Sequence, residues 1–388
     1  MSYAQHRKII DADSHVIELD DFLAKAASEA DLPFLRAMSD QTELPVLQEG
    51  IDRAKELFEK RQNDPEIMAK FEAAVLDNTK SGWTRLGAFD SGERSHTMDL
   101  FGYEMQWVLP TFSFHQVAHV DNSKILEAGA RTLNKAMADF CAKDARLKAI
   151  GYLPLQLGPE KSVELMKQGF DAGCYSFMVD TNEPNEDAIS FTHPDFDPVW
   201  AGFAEQNAPF VAHVAVNGHY KAVPNSFKNN GKSQLELGGD APAGELGLMT
   251  ISNSAEIFLS AMIFDNVFER HPTLRGISME HGAFWLPSWL KQLDYTASLF
   301  KRKRQFTTMP SEVAKKHLKV SPFAGEPVGW IIENVGPDML VYASDYPHPE
   351  GTRDPIKKFE AAMENCDEAT MDAFYHGNME ELMGLNIT

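Results

Sequence analysis

The sequence predicts an α/β fold, a (β/α)8 barrel, and three observations point to it. Eight short apolar runs recur along the chain, most of them followed by a segment of helical periodicity. The runs are nearly continuous in apolar residues, as strands buried on both faces of a parallel sheet are. Several end in an acid or a histidine, and barrels of this kind carry their chemistry at the C-terminal ends of the strands.

The elements follow in order. KIIDAD (8–13) opens strand one. MQWVLPT (105–111) is strand two, and a helix follows over 123–144 with Ser123 as its N-cap. KAIGYLPL (148–155) precedes a helix over 159–173, and CYSFMVDT (174–181) a helix over 197–207. PFVAHVAV (209–216) is strand five, with a helix over 254–272 before LRGISMEHG (274–282). A helix over 284–302 leads to LKVSPF (318–323), and a last helix near 326–335 precedes MLVYASDYPH (339–348).

A barrel takes about 250 residues, and this chain has 388. The surplus falls in 19–104, with charged helix-like sequence such as EGIDRAKELFEKRQ, and in 217–252, with the glycine-rich NNGKSQLELGGDAPAGELG. Both read as insertions on a single domain spanning 1–388, not as domains with cores of their own. A doubly wound open sheet competes, but no glycine-rich phosphate loop follows the first strand.

The net charge of −21 argues against a nucleic-acid partner and against an anionic membrane. No long apolar run predicts a membrane span or a leader. Three widely spaced cysteines, Cys141, Cys174 and Cys366, cannot form a closed disulfide framework, and a reduced cytoplasm is the expected compartment.

The ends of the predicted strands carry the chemistry. Strand alternation puts Asp13 and His15 on one face and Ser14 on the other. Strand five offers His213, strand six Glu280 and His281, strand eight Asp345 and His348. Each residue alone has a bland reading: His213 as a hydrogen-bonded core histidine, Asp345 as a turn residue, Asp11 as a salt-bridge partner at the barrel mouth. Together, Asp13, His15, His213 and Asp345 form a mixed N/O set suited to one divalent ion such as Zn²⁺, Mn²⁺ or Fe²⁺. Burying them unpaired would cost several kcal/mol each. Glu18, His115, His219, Glu280, His348 and Arg353 are candidate substrate contacts. Glu280 reads equally as a residue that orients His281 or as a structural one. Arg353 reads as a surface ion pair or as the partner of a substrate carboxylate.

IIDADSHVIE, FVAHV, SMEHGAFWLPSWLKQLD and YASDYPHPEG resemble the amidohydrolase-2 group of the amidohydrolase superfamily. That branch contains aminocarboxymuconate-semialdehyde decarboxylase and the aromatic-acid decarboxylases. The resemblance covers most of the chain from residue 8, apart from 19–90 and 217–250. It implies that Asp13, His15, His213 and Asp345 are metal ligands and that His281 and Asp345 are catalytic. It also implies one Zn or Mn ion, since the fourth strand lacks the bridging lysine of binuclear relatives. Relatives usually carry His or Glu where Asp13 stands. Two chemistries follow: non-oxidative decarboxylation of an aromatic or unsaturated carboxylic acid, or hydrolysis of an amide, ester, lactone or activated C–C bond by a metal-bound water. The implied partner is a small carboxylate substrate, and the implied assembly a homodimer or larger.

Overall fold

The computed structural model describes residues 2–385 except 39–43, 76–81, 119, 183–184, 186, 217–220, 234, 236–243 and 349–352. Seven strands are assigned among them: β1 (Ile10–Asp11), β2 (Met105–Val108), β3 (Leu147–Leu153), β4 (Ser176–Val179), β5 (Phe210–His213), β6 (Gly276–Met279) and β7 (Leu318–Val320). They lie in the sheet in chain order, without the reversal that marks a doubly wound fold. The registered pairs are all parallel. Core-facing Trp107, Phe177, Phe210, Val211 and Ile277 are wholly buried, which is why these runs carry so little polarity.

Residues 339–346 stand in the eighth place as isolated bridges and not as a regular strand. Leu340 bridges Val320 of β7, and Tyr346 bridges Ser14 after β1. The expected strand over 339–348 is thus shortened. Its polar end, SDYPH, is held by side chains and turns: the Asp345 N–H donates to Asp13 O at 2.9 Å, and the His348 N–H to Asp345 O at 2.9 Å.

Most predicted helices are present with small shifts. The helix Ser123–Cys141 is capped by Asn122, not Ser123, because the Asn122 side chain accepts from the Lys124 and Ile125 N–H groups. The expected single helix over 254–272 breaks into Asn253–Phe264 and Val267–Arg270, where Asn266 turns left-handed at φ +60°. Residues 244–264 are apolar and long enough by composition to cross a membrane, unlike the expectation. They form two helices, Gly244–Met249 and Asn253–Phe264, and the second buries Phe258, Leu259, Met262 and Ile263.

The chain divides into two compact units of discontinuous stretches: 1–154, 167–177 and 343–357, and 155–166, 178–342 and 358–388. The first unit contains the 19–104 segment, whose main helices are Leu44–Asn63, Pro65–Ala73 and Ser91–Phe101. Asp64 and Asp90 cap the last two. Buried Met38 and Ile51 pack with Leu19, Trp83 and Phe112. The Trp83 ring stacks on Phe112 at 4.5 Å, so the segment shares its apolar cluster with the helix Phe112–Val117 that follows β2. Most of 229–243 in the second segment lies outside the described residues.

Candidate metal centre

In the first unit, the chain leaving β1 carries Asp13 and His15, both 1% exposed. Ser14 turns the other way and donates to the Trp107 carbonyl at 2.6 Å. The His15 ring places Nδ1 3.3 Å from the Pro110 carbonyl, and a carbonyl only accepts, so Nδ1 carries the proton. In the neutral ring Nε2 then presents its lone pair 3.3 Å from Asp13 Oδ1 and 3.8 Å from Asp345 Oδ1. Three electron-rich atoms converging in a buried place repel one another unless a cation sits among them. The donor set thus fits a divalent ion. His15, Asp345 and His348 each offer a ligand atom within 4.8 Å of the others.

His348 belongs to the same group in the first unit. Its Nδ1 lies 2.9 Å from Asp345 Oδ1, its Nε2 2.9 Å from Thr111 Oγ1, and its ring stacks on His15 at 3.9 Å. Asp345 is the most open of the four, with 20% of its side chain exposed. Its backbone is left-handed at φ +54°, a conformation aspartate tolerates better than most residues.

The second unit carries the other candidates. His213 closes β5, and its Nδ1 donates to the Val214 carbonyl at 2.8 Å. This leaves Nε2 as the nitrogen with the lone pair, 3.5 Å from Glu280 Oε2. Glu280 sits at φ +56°, in a region that costs a non-glycine residue of order 1–3 kcal/mol. Its carboxylate addresses His213; the residue that holds His281 is Ser278, whose Oγ lies 3.0 Å from His281 Nδ1. Gly282 follows at φ +62°. The Glu326 carboxylate clamps this turn by accepting from the Ala283, Phe284 and Phe323 N–H groups. Burial pushes its carboxyl up from the usual range.

The remaining predicted residues lie elsewhere. Glu18 is wholly buried and accepts from the Thr111 N–H (2.9 Å), the Phe112 N–H (2.8 Å) and the Ser113 hydroxyl. It anchors the start of the helix Phe112–Val117. Asp11, expected as a barrel-mouth ion-pair partner, makes no such pair among the described residues: it is wholly buried among Gln106 and Ser344, and burial pushes its carboxyl up to about 7. His115 is half-buried, edge-on to Phe114, and Arg353 is exposed. His219 falls outside the described residues. Thr111 and Ser278 were not singled out in the sequence, because a hydroxyl in an apolar run carries no pattern of its own.

Known proteins agree with this architecture. No curated protein matches the sequence. An amidohydrolase from Mycobacterium avium subsp. paratuberculosis K-10 is similar over 98% of this chain and 99% of its own, at 19% identity and a TM-score of 0.74. The 5-carboxyvanillate decarboxylase of Novosphingobium aromaticivorans DSM 12444, solved with manganese and 4-hydroxy-3-methoxy-5-nitrobenzoic acid, is similar over 98% and 97%, at 18% identity and a TM-score of 0.64. A dihydroxybenzoic acid decarboxylase from Polaromonas sp. JS666, with manganese and the inhibitor 2-nitroresorcinol, is similar over 98% of each chain, at 16% identity and 0.63. These likenesses show the fold, the (β/α)8 barrel expected from the sequence. The family model of the amidohydrolases matches residues 10–385, and the chain belongs to the amidohydrolase family.

Proposed function

We propose that this protein is a metal-dependent, non-oxidative decarboxylase of an aromatic carboxylic acid, a C–C lyase. The observation that carries the reading is the convergence of the His15 lone pair with the Asp13 and Asp345 carboxylates, in a fold shared with manganese-bound aromatic-acid decarboxylases. In this reading Asp13, His15, His213 and Asp345 hold one Mn²⁺ or Zn²⁺ ion, with Glu280 beside His213. Bound there, the ion would supply fixed positive charge for holding an anionic substrate in place.

The chain's own residues do the rest. Asp345, partly open to solvent and with His348 Nδ1 2.9 Å from its Oδ1, takes up a proton from water and delivers it to the ring carbon that bears the carboxylate. The C–C bond then breaks, its electron pair returns to the ring, and CO₂ leaves. His281, with Nδ1 accepting from the Ser278 hydroxyl in this reading, offers its Nε2–H to stabilise negative charge gathering on the substrate oxygen. Thr111 holds the far side of His348.

The test is a substrate screen on protein stripped of metal and reloaded with Mn²⁺ or Zn²⁺. Hydroxylated benzoates are scored for CO₂, and esters, lactones and amides for acid release. The expected result is metal-dependent CO₂ release that a chelator abolishes. Turnover confined to the second set would replace this reading with hydrolysis. The compartment we propose is the reducing cytoplasm, in keeping with three free cysteines. The assembly we propose is a homodimer or larger, measurable by light scattering.

A further inference from the structure

Behind the ligand-bearing residues of the first unit runs a chain of buried polar groups. The Arg94 side chain is wholly buried. Its Nε donates to the Gly87 carbonyl at 2.8 Å, its Nη1 to Gln106 Oε1 at 3.1 Å and to Ser14 Oγ at 3.4 Å, and its Nη2 to the His15 carbonyl. Gln106, in β2, passes the connection on: its Nε2 donates to Asp11 Oδ2 at 2.8 Å. Asp11 in turn accepts from the Ser344 N–H (2.8 Å), the Ser344 hydroxyl (2.6 Å) and the Asp13 N–H (3.4 Å). One path, Arg94–Gln106–Asp11–Ser344, therefore grips His15 by its carbonyl, Asp13 by its N–H, and Asp345 through the residue before it.

The arrangement is costly as a stability device. A buried guanidinium and a buried carboxylate are each expensive, and a direct fork between them is the usual compensation. Here an amide is interposed. Its oxygen has to face Arg94 and its NH₂ has to face Asp11, because the reverse sets donor against donor and acceptor against acceptor. The network thus has one satisfied arrangement, and that arrangement spaces β1, β2 and the turn at 344.

We propose that Arg94, Gln106 and Asp11 are positioning residues whose hydrogen-bonded path sets the separation of the Asp13–His15 pair from Asp345, and with it the affinity for a divalent cation. The proposal rests on the metal reading above. Partners behind metal ligands typically change metal affinity by about 10–100-fold when removed.

The test compares wild type, Gln106→Met, Ser344→Ala and Ser344→Thr as full-length, metal-stripped proteins. Two quantities are read: the Mn²⁺ dissociation constant, by competition with a fluorescent chelator, and the thermal midpoint without metal. Gln106→Met keeps the shape and loses both ends of the relay; Ser344→Ala removes one hydroxyl at a partly exposed residue. Both are expected to weaken Mn²⁺ binding by roughly 10–100-fold at a temperature where each variant is folded. Ser344→Thr, which keeps the hydroxyl, is expected to bind as wild type does. Unchanged Mn²⁺ binding in Gln106→Met and Ser344→Ala overturns the proposal, even if the midpoint falls, because the path is then only structural. If Gln106→Met does not fold, the Ser344 pair decides alone. Wild-type protein that binds no Mn²⁺ refutes the metal reading itself, and the positioning role with it. Wild-type binding with unaltered variants refutes the positioning role only.

Discussion

Replacing Arg61 with Met tests what holds the 19–104 segment in place. The Arg61 guanidinium forks onto both oxygens of Glu93, from Nε and Nη2 at 2.5 Å each, and Nη1 donates to the Thr84 carbonyl at 3.2 Å. The two side chains are 0% and 3% exposed, so solvent screens the pair little. The guanidinium also lies over the Phe71 ring at 4.9 Å. Methionine fills similar space but strands the Glu93 carboxylate with only the Gly87 N–H and the Gln62 amide as donors. Breaking a buried pair from one side costs about 3–5 kcal/mol. Removing both charges, in Arg61→Met/Glu93→Leu, leaves mainly the Gly87 N–H and the Thr84 carbonyl without their partners, about 1–3 kcal/mol. The double variant should therefore be more stable than either single one. Hydrogen exchange along the helix Leu44–Asn63 is the assay. Protection should fall by roughly two to three and a half orders of magnitude in Arg61→Met and partly recover in the double variant. Additive costs below about 1 kcal/mol each, the range of an exposed pair, would show that the pair does not hold the segment.

Three further outcomes are expected. Asp345→Asn should lower single-turnover CO₂ release by about 10²–10⁴-fold, the usual worth of a general acid, with some metal still bound; full activity would remove its proton-transfer role. Gly282→Ala should destabilise the turn carrying His281 by about 1–3 kcal/mol, since the position is left-handed and a Cβ there would stand 2.6 Å from Glu326 Oε1; an unchanged urea midpoint would contradict the clamp. The Arg146 guanidinium holds the Asp144 carboxyl below its ordinary 3.8. A depressed folded value contributes stability that is complete above the ordinary value and is lost as pH falls through the folded one. Arg146→Gln should therefore flatten the acid limb of a stability–pH curve below about pH 4, and an unaltered limb would show that this carboxylate does not contribute there.

The barrel was legible in the sequence because parallel strands buried on both faces must be written as short apolar runs. Seven of the eight expected runs are strands. The eighth was half legible: Leu340 and Tyr346 make strand-like bridges, but the polar SDYPH end is fixed by contacts that a run of residues does not encode. Helix ends were less legible. Asn122 and Ser123 are both good caps, and only the geometry of the Asn122 side chain decided between them.

The sequence by itself determined which residues could do chemistry. Asp13, His15, His213, Glu280, His281, Asp345 and His348 stand out because acids and imidazoles at the ends of apolar runs violate the pattern around them. Tertiary structure decided which partners each one meets. Glu18 and Asp11 share that violation, yet one anchors a helix start and the other ends a buried relay through Gln106. Glu280 faces His213, while Ser278 holds His281. The reason is physical: composition marks a polar group that has to find partners in the interior, but its partners lie up to hundreds of residues away, as Ser344 does from Asp11, and only the folded chain brings them to it.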